Sequence, residues 1–369
     1  MMATKTNLAG NVNHFPSITW HHLHINHGYF EGSFESEIQA EISKLPEGVT
    51  LEKKNLSESY ASKNKIQTQL GKDFDSEIDS MTESLGIKVQ EINVASGAIV
   101  SDPVKLSYKI NDSTFSAAET VIVAGEGSSS TFIFDYEGST QGNNGGTGVF
   151  GNRIRVYCAE NASVRLVTVN LLGSGTVHYN GIGSSLEDNA HLELIQIELG
   201  GKETFSGSYN NLLGYKASCN VQGGYVCDGD KVLDINYVSN QAGSQTESFS
   251  KFNGVLLENA KKTWRGTIDF KRGAKEAKGD EQENVLLLSP DVVNKSMPVI
   301  LCDEENVEGR HGGSIGKLSE EELLYLETRG IDERTAKIMM IKSRINSIAR
   351  YIPDEDVLSK IHAYLEEHL

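Results

Sequence analysis

From about residue 97 to residue 300 the chain keeps one texture, in which short runs of alternating apolar and polar positions are separated by Gly, Asn, Ser and Asp. The runs TVIVAG, TFIFDYEG, RIRVYC, VRLVTVNLL, LELIQIELGG and VLDINYVS are examples. Alternation at every second position marks a strand, and the separating residues are turn formers. No helix-length stretch lies between them. The middle of the chain therefore reads as a long succession of strands.

A unit recurs inside this zone. AENASVRLVTV, LEDNAHLELIQI and LENAKKTWRGTI share an acidic residue, then Asn-Ala, then alternating apolar positions. Asn161 and Asn189 are 28 apart (189 − 161), and Asn189 and Asn259 are 70 apart (259 − 189). Asn suits a tight corner because it tolerates the left-handed conformation and bonds its own backbone. Strand, Asn corner and strand, many times over, describe a β-solenoid whose coils stack and bury small aliphatic residues. The competing arrangement is an antiparallel sandwich.

The flanks differ. Residues 1–95 are polar and mixed, with helical patches expected at FESEIQAEISKL and KDFDSEIDSMTESLGI. In the second patch Phe74, Ile78, Met81 and Leu85 form one apolar stripe. Residues 96–317 are the solenoid, and residues 318–369 are helical. There LSEEELLYLETRG opens with Ser319 as N-cap and Glu322 as its capping-box partner, and closes at Gly330. A second helix runs from an Asp332 cap towards Pro353, and PDEDVLSKIHAYLEEHL begins a third. Ile338, Ile341, Ile345 and Ile348 make an apolar stripe on the middle helix, which has to dock on the solenoid end or on a partner.

Composition narrows the function. The chain has 369 residues, 36 of them Gly, and 51 acidic against 34 basic side chains give a formal charge of −17. That balance disfavours a nucleic-acid or anionic-membrane surface. No run reaches the roughly 18 apolar residues of a membrane span, and the N-terminus lacks the apolar centre of a secretory signal, so the expectation is cytoplasmic. The four cysteines, Cys158, Cys219, Cys227 and Cys302, contain no CxxC pair. A tetrahedral zinc or self-contained ferredoxin site is disfavoured, and reduced core thiols are preferred to a Cys219–Cys227 bridge.

Motifs of catalysis are missing. No GxxxxGK[ST], strand-to-helix GxGxxG, GxSxG or HExxH occurs, so ATP hydrolysis by this chain is not expected. The Gly-rich GGTGVFGNR, residues 145–153, reads as a solenoid turn. His14, His21, His22, His24 and His27 crowd the N-terminus without carboxylates at supporting spacing, and they read as solvated histidines rather than a metal site. His311 stands between glycines in ENVEGRHGGSIGKL, residues 305–318, directly before the helical zone. Those glycines leave it sterically open to a ligand or another subunit.

That segment, with SEEELLYLETRGI after it, resembles the SufB/SufD family of iron–sulfur cluster assembly proteins, and its SufD branch most. The family pattern runs D-D-V-x-C-S-H-G-A-T-V-G-x-L-x-E-E-x-L-F-Y-L-x-S-R-G-I. FNGVLLENAKKTWRGTIDFKRGAKEAKGDEQENVLLLS looks like the family's last coils, and SITWHHLHIN resembles its opening segment through Trp20, Leu23 and Asn26. The histidines then occupy variable positions of that segment.

The resemblance implies a mainly β fold, a right-handed parallel β-helix with an N-terminal helical region and a C-terminal helical subdomain. It implies a scaffold without catalysis of its own, pairing through the solenoid ends with a SufB-like paralogue. A SufC-like ABC-type ATPase would dock on the C-terminal helices, where Leu323, Leu324, Tyr325, Arg329, Ile338, Ile341 and Ile345 are the candidate contacts. A transient iron–sulfur cluster would be shared with the partner subunit, none being held permanently, and His311 is the matching candidate ligand. Gly309 and Arg310 stand where many relatives have Cys-Ser, so no thiol comes from that position. Imidazole suits iron, and one histidine can complete a site whose thiolates belong to another chain. Two other readings stay open: a SufB-like homodimeric scaffold, the isolated chain itself then pairing, and a β-helix carbohydrate-active or binding protein.

Overall fold

A computed structural model describes residues 5–16, 24–26, 28–138 and 147–368. In the N-terminal part, β1 (Thr6–Asn11) pairs antiparallel with β2 (Tyr29–Phe34), followed by β3 (Ser36–Glu37), β4 (Glu41–Ile42) and β5 (Val49–Lys54). The helices α1 (Tyr60–Lys63) and α2 (Lys72–Leu85) come next. The strands of FESEIQAEISKL correct the helix expected there. Ile38, Ala40 and Ile42 alternate at a period of two and pack partly buried on the core, while backbone bonds tie the segment to the first coils. The helix expected at 72–85 is present, with Phe74, Ile78 and Met81 buried.

Each later coil gives one strand to each of two sheets. The pairs are β6 (Val89–Val94) with β7 (Val104–Ile110), and β8 (Phe115–Ala124) with β9 (Ser129–Gly138). Next come β10 (Gly148–Cys158) with β11 (Ser163–Leu171), and β12 (Thr176–Leu186) with β13 (His191–Glu198). Then follow β14 (Glu203–Leu212) with β15 (Ser218–Cys227), and β16 (Val232–Gln241) with β17 (Glu247–Leu256). The last are β18 (Lys261–Phe270) with β19 (Ala277–Leu287), and β20 (Val293–Cys302) with β21 (Val307–Lys317). From β6 and β7 onward, neighbours in each sheet pair in parallel, so the architecture is a parallel β-solenoid and not a sandwich.

The Asn corners explain the repeat and limit it. Gly127, Asn161, Asn189, Lys216 and Gln245 each precede an odd-numbered strand by two residues, with φ between 54° and 64°. Their N–H groups form a ladder from coil to coil, Asn161 to Asp188 O at 2.9 Å and Asn189 to Tyr215 O at 2.7 Å. The unit at Asn259 belongs to the opposite corner, between β17 and β18, where Glu258 is the left-handed residue at φ 55°. That is why its spacing breaks.

Mid-solenoid strands such as β10 are buried on both faces, which explains apolar runs longer than simple alternation gives. Apolar side chains of the two sheets meet inside. Outside, Phe30, Phe34, Phe74 and Ile78 cover the even-numbered sheet through Val149, Tyr179 and Phe205. The residues 13–26 that are described continue this cover as a strap. Arg265 donates to Ile25 O at 2.7 Å and holds Asp234 at 2.6 Å, and Asn13 donates to Asp234 at 2.7 Å.

The odd-numbered sheet is covered by the C-terminal helices α3 (Glu320–Thr328), α4 (Glu333–Ala349) and α5 (Glu355–His368). Ser319 and Glu322 form the expected capping box, Asp332 caps α4, and Gly330 takes φ 82° after α3. Ile341, Ile345 and Ile348 of α4, with Val357, Ile361 and Leu365 of α5, pack on Val169, Ile195, Ile197, Val226 and Val255. The stripe thus docks on the solenoid's flank, not on its end.

Candidate functional site

The two ends of the solenoid are built differently. At the N-terminal end β5 and β4 close the sheets by antiparallel pairing with β6 and β7. At the other end β20 and β21 are the outermost strands of their sheets. Nine of the eleven residues of β21 are exposed, against none in β10. An open edge of this kind carries unpaired backbone donors and acceptors. On β20 the edge is interrupted by Pro298, which has no N–H to offer.

His311 sits near the middle of β21, exposed and without a hydrogen bond among the described residues, in a dent of about 420 Å³ shared with Asp280, Gln282, Asn284 and Arg310. It is in register with Glu281 of β19, and Gly313 with Glu283. At Gly309 a Cβ would lie 3.0 Å from Ile300 and 3.1 Å from Phe270. Neighbouring side chains therefore already crowd this position.

Beneath this edge the interior is polar. Glu281 and Glu283 are 2% and 1% exposed. Glu283 accepts from Lys262 at 2.6 Å and from the Tyr225 hydroxyl at 2.6 Å, and Lys262 also donates to Ser296 at 3.0 Å. Burial lowers the Lys262 pKa, its attraction to Glu283 opposing the shift. Among the described residues Glu281 accepts only from the Val299 N–H, and burial pushes its carboxyl up to about 8. Sequence reasoning missed this group. In AKGDEQENVLL the strand period alone puts Glu281 and Glu283 on the face of Val285, which is the inner one.

The C-terminal helices present a second surface. Leu324 and Tyr325 are 61% and 60% exposed, Leu323 and Ile338 are half-buried, and Arg329 stacks over the Tyr325 ring at 5.3 Å. Ile338 lines a groove of about 570 Å³ with Leu257, Glu327 and Lys337. Ile341 and Ile345, expected at a partner surface, are 1% and 0% exposed because the solenoid flank takes them.

Two expectations fall partly elsewhere. Trp20, His21, His22, Leu23 and His27 lie outside the described residues, while His14 and His24 are exposed and Asn26 accepts from Phe15 N–H at 2.9 Å. Gly145 and Gly146 also lie outside, and 148–153 of the Gly-rich segment open β10. Among the described residues no group of three or more His, Cys, Asp or Glu could hold a metal ion. All four cysteines are free; Cys158, Cys219 and Cys227 are buried, and burial pushes the Cys219 and Cys227 thiols up to about 12. No described helix is long and apolar enough to cross a membrane.

Fold and open end define a class, the two-sheeted parallel solenoids whose last coil is unpaired among the described residues and that carry a helical flank. The sequence model of the family described as SUF system FeS cluster assembly, SufBD core domain, matches residues 108–344, and the chain belongs to that family. It is 26% identical over 270 residues to iron–sulfur cluster assembly protein SufD of Bacillus subtilis, covering 72% of this chain and 61% of that protein. A SufBD family protein of Staphylococcus epidermidis is 23% identical over 265 residues, covering 72% of this chain and 56% of the relative. SufD of Plasmodium berghei is 23% identical over 223 residues, 60% of this chain and 16% of that protein. The chain thus matches less than two thirds of the length of these relatives.

Proposed function

We propose that this chain is a SufD-like, non-catalytic scaffold subunit of an iron–sulfur cluster assembly complex. Its open end pairs with a SufB-like paralogue, and a SufC-like ATPase docks on α3 and the exposed side of α4. A cluster in assembly is the cargo, shared at the paired edge, with His311 as this chain's ligand and the thiolates from the partner. The setting would be the cytoplasm. The observation that carries the reading is the unpaired β21 edge, which displays an open imidazole in a chain of the SufBD family.

Backbone alternation specifies the test. In the odd-numbered strands the N–H of an outward residue points back one coil, as His191 to Ala162 O and Lys278 to Thr246 O. On β21 the inward residues, Gly313 among them, therefore aim their N–H at the free edge. Gly313→Pro should weaken pairing with the SufB-like subunit by about 1–3 kcal/mol, the cost of a partner carbonyl left unpaired, while ATPase capture persists. Leu324→Ala with Tyr325→Ala should do the reverse. Retention of both partners by both variants in co-purification would overturn the assignment, as would ATP turnover by the isolated chain. Truncation at Leu318 is a poor test, since it would bare Ile195, Ile197, Val226 and Val255.

A further inference from the structure

The buried carboxyls near the open end are of two kinds. Glu283 is held by Lys262 and Tyr225, as Glu119 farther down the solenoid is held by Arg153. Glu281 is as deeply buried but has no cation partner among the described residues, and the Val299 N–H at 3.1 Å is its one hydrogen bond. Its other oxygen occupies space left by Gly266, where a Cβ would lie 2.6 Å from Oε2. A buried acid without a counter-charge destabilises a fold and is a candidate for a functional pairing.

One coil above it on β21 stands His311, at the same register. By register both take the inward position of their strands. Gly309 faces Ile300 and Phe270, and Ile315 is in register with the core residue Val285. Adjacent strands are about 4.8 Å apart, so a rotamer change brings the carboxyl of Glu281 to the imidazole. Among the described residues the His311 side chain makes no hydrogen bond that would oppose this, and Gly312 and Gly313 add no side chain beside it.

We propose that Glu281 is the positioning carboxylate of His311. It accepts the N–H of one ring nitrogen and so turns the other towards a metal ion at the open edge. Histidine ligands are ordinarily oriented by such a carboxylate, which also raises their basicity. This inference rests on His311 being an iron ligand, and it adds the group that would make a solitary exposed histidine a directed one.

The test is anaerobic titration of the full chain with Co(II) alone, followed by its visible spectrum and by calorimetry. Glu281→Gln keeps the side-chain shape and should lower Co(II) affinity about 10-fold, with Glu281→Met nearer 100-fold, the range for loss of a histidine-orienting partner. Neither should lower the melting temperature, whereas Glu283→Gln should lower it and leave Co(II) binding alone. If Glu281→Met does not fold, the isosteric Gln variant decides. Loss of binding in His311→Ala with unchanged binding in both Glu281 variants overturns the inference and leaves the ligand reading standing. Unchanged binding in His311→Ala removes both.

Discussion

The two ends of the solenoid solve the same physical problem in opposite ways. A stack of parallel coils leaves unpaired backbone at each end, which invites association. At the N-terminal end β4 is two residues long, and β5 turns antiparallel and carries Glu52, Lys53 and Lys54. Short, charged and antiparallel edges resist further pairing. At the C-terminal end β21 offers eleven residues, with Gly at 309, 312, 313 and 316, so another backbone can approach closely. One end is closed within the chain, and the other is left open among the described residues. The same contrast separates the faces of the C-terminal helices, where α4 and α5 are committed to the flank and α3 shows Leu324 and Tyr325 to solvent.

The comparison breaks most sharply at the buried pair beneath the open end. Lys262→Met leaves Glu283 buried without its cation, and chemical denaturation should show a loss of about 3–5 kcal/mol. The pair at the closed end, Lys54 with Glu91 at 2.6 Å, has a 29% exposed lysine, so Lys54→Met should cost far less. Equal losses would mean that the open end is not a sealed interior.

Ile345→Ala should destabilise by about 2–5 kcal/mol, since the side chain is fully buried on the flank, and Leu324→Ala by no more than about 0.5 kcal/mol. A reversed order would show that α4 is not docked as described.

Between the ends, Glu198 is buried with Ser206 and Asn170 as hydrogen-bond partners, and burial pushes its carboxyl up to about 7 from 4.5. The unfolded chain loses this proton first, so the folded state binds more protons between about pH 4.5 and 7. Stability should therefore fall as pH rises through that window. Glu198→Gln should flatten that part of the melting-temperature profile, and an unchanged profile would show that Glu198 does not titrate as described.

His311→Ala should have the smallest effect on stability, within about 0.5 kcal/mol, because an exposed side chain without a hydrogen bond among the described residues has little to lose. A loss above 1 kcal/mol would make it a structural residue.

Much of this was legible before the structure. Alternation, turn residues and left-handed Asn161 and Asn189 pointed to stacked coils, and Ser319, Glu322 and Asp332 marked the helix starts. The segment Phe34–Leu45 was not legible, because Ile38 and Ile42 fit a helical step of four as well as a strand step of two; pairing with β7 and β8 decided it. Nor could the apolar stripe of α4 say which surface would bury it. His311 stood out by its glycines, but Glu281 did not. Its burial depends on a fold that brings Val299 and Gly266 to it from other strands.

The central claim is that the open end is the pairing surface, and hydrogen–deuterium exchange of the full chain with and without the SufB-like subunit tests it directly. Amides of β21 at Gly309, His311, Gly313 and Ile315 should exchange freely alone and become protected in the complex, while β4 and β5 stay unchanged. Protection at β4 and β5, or none at β21, would contradict the account.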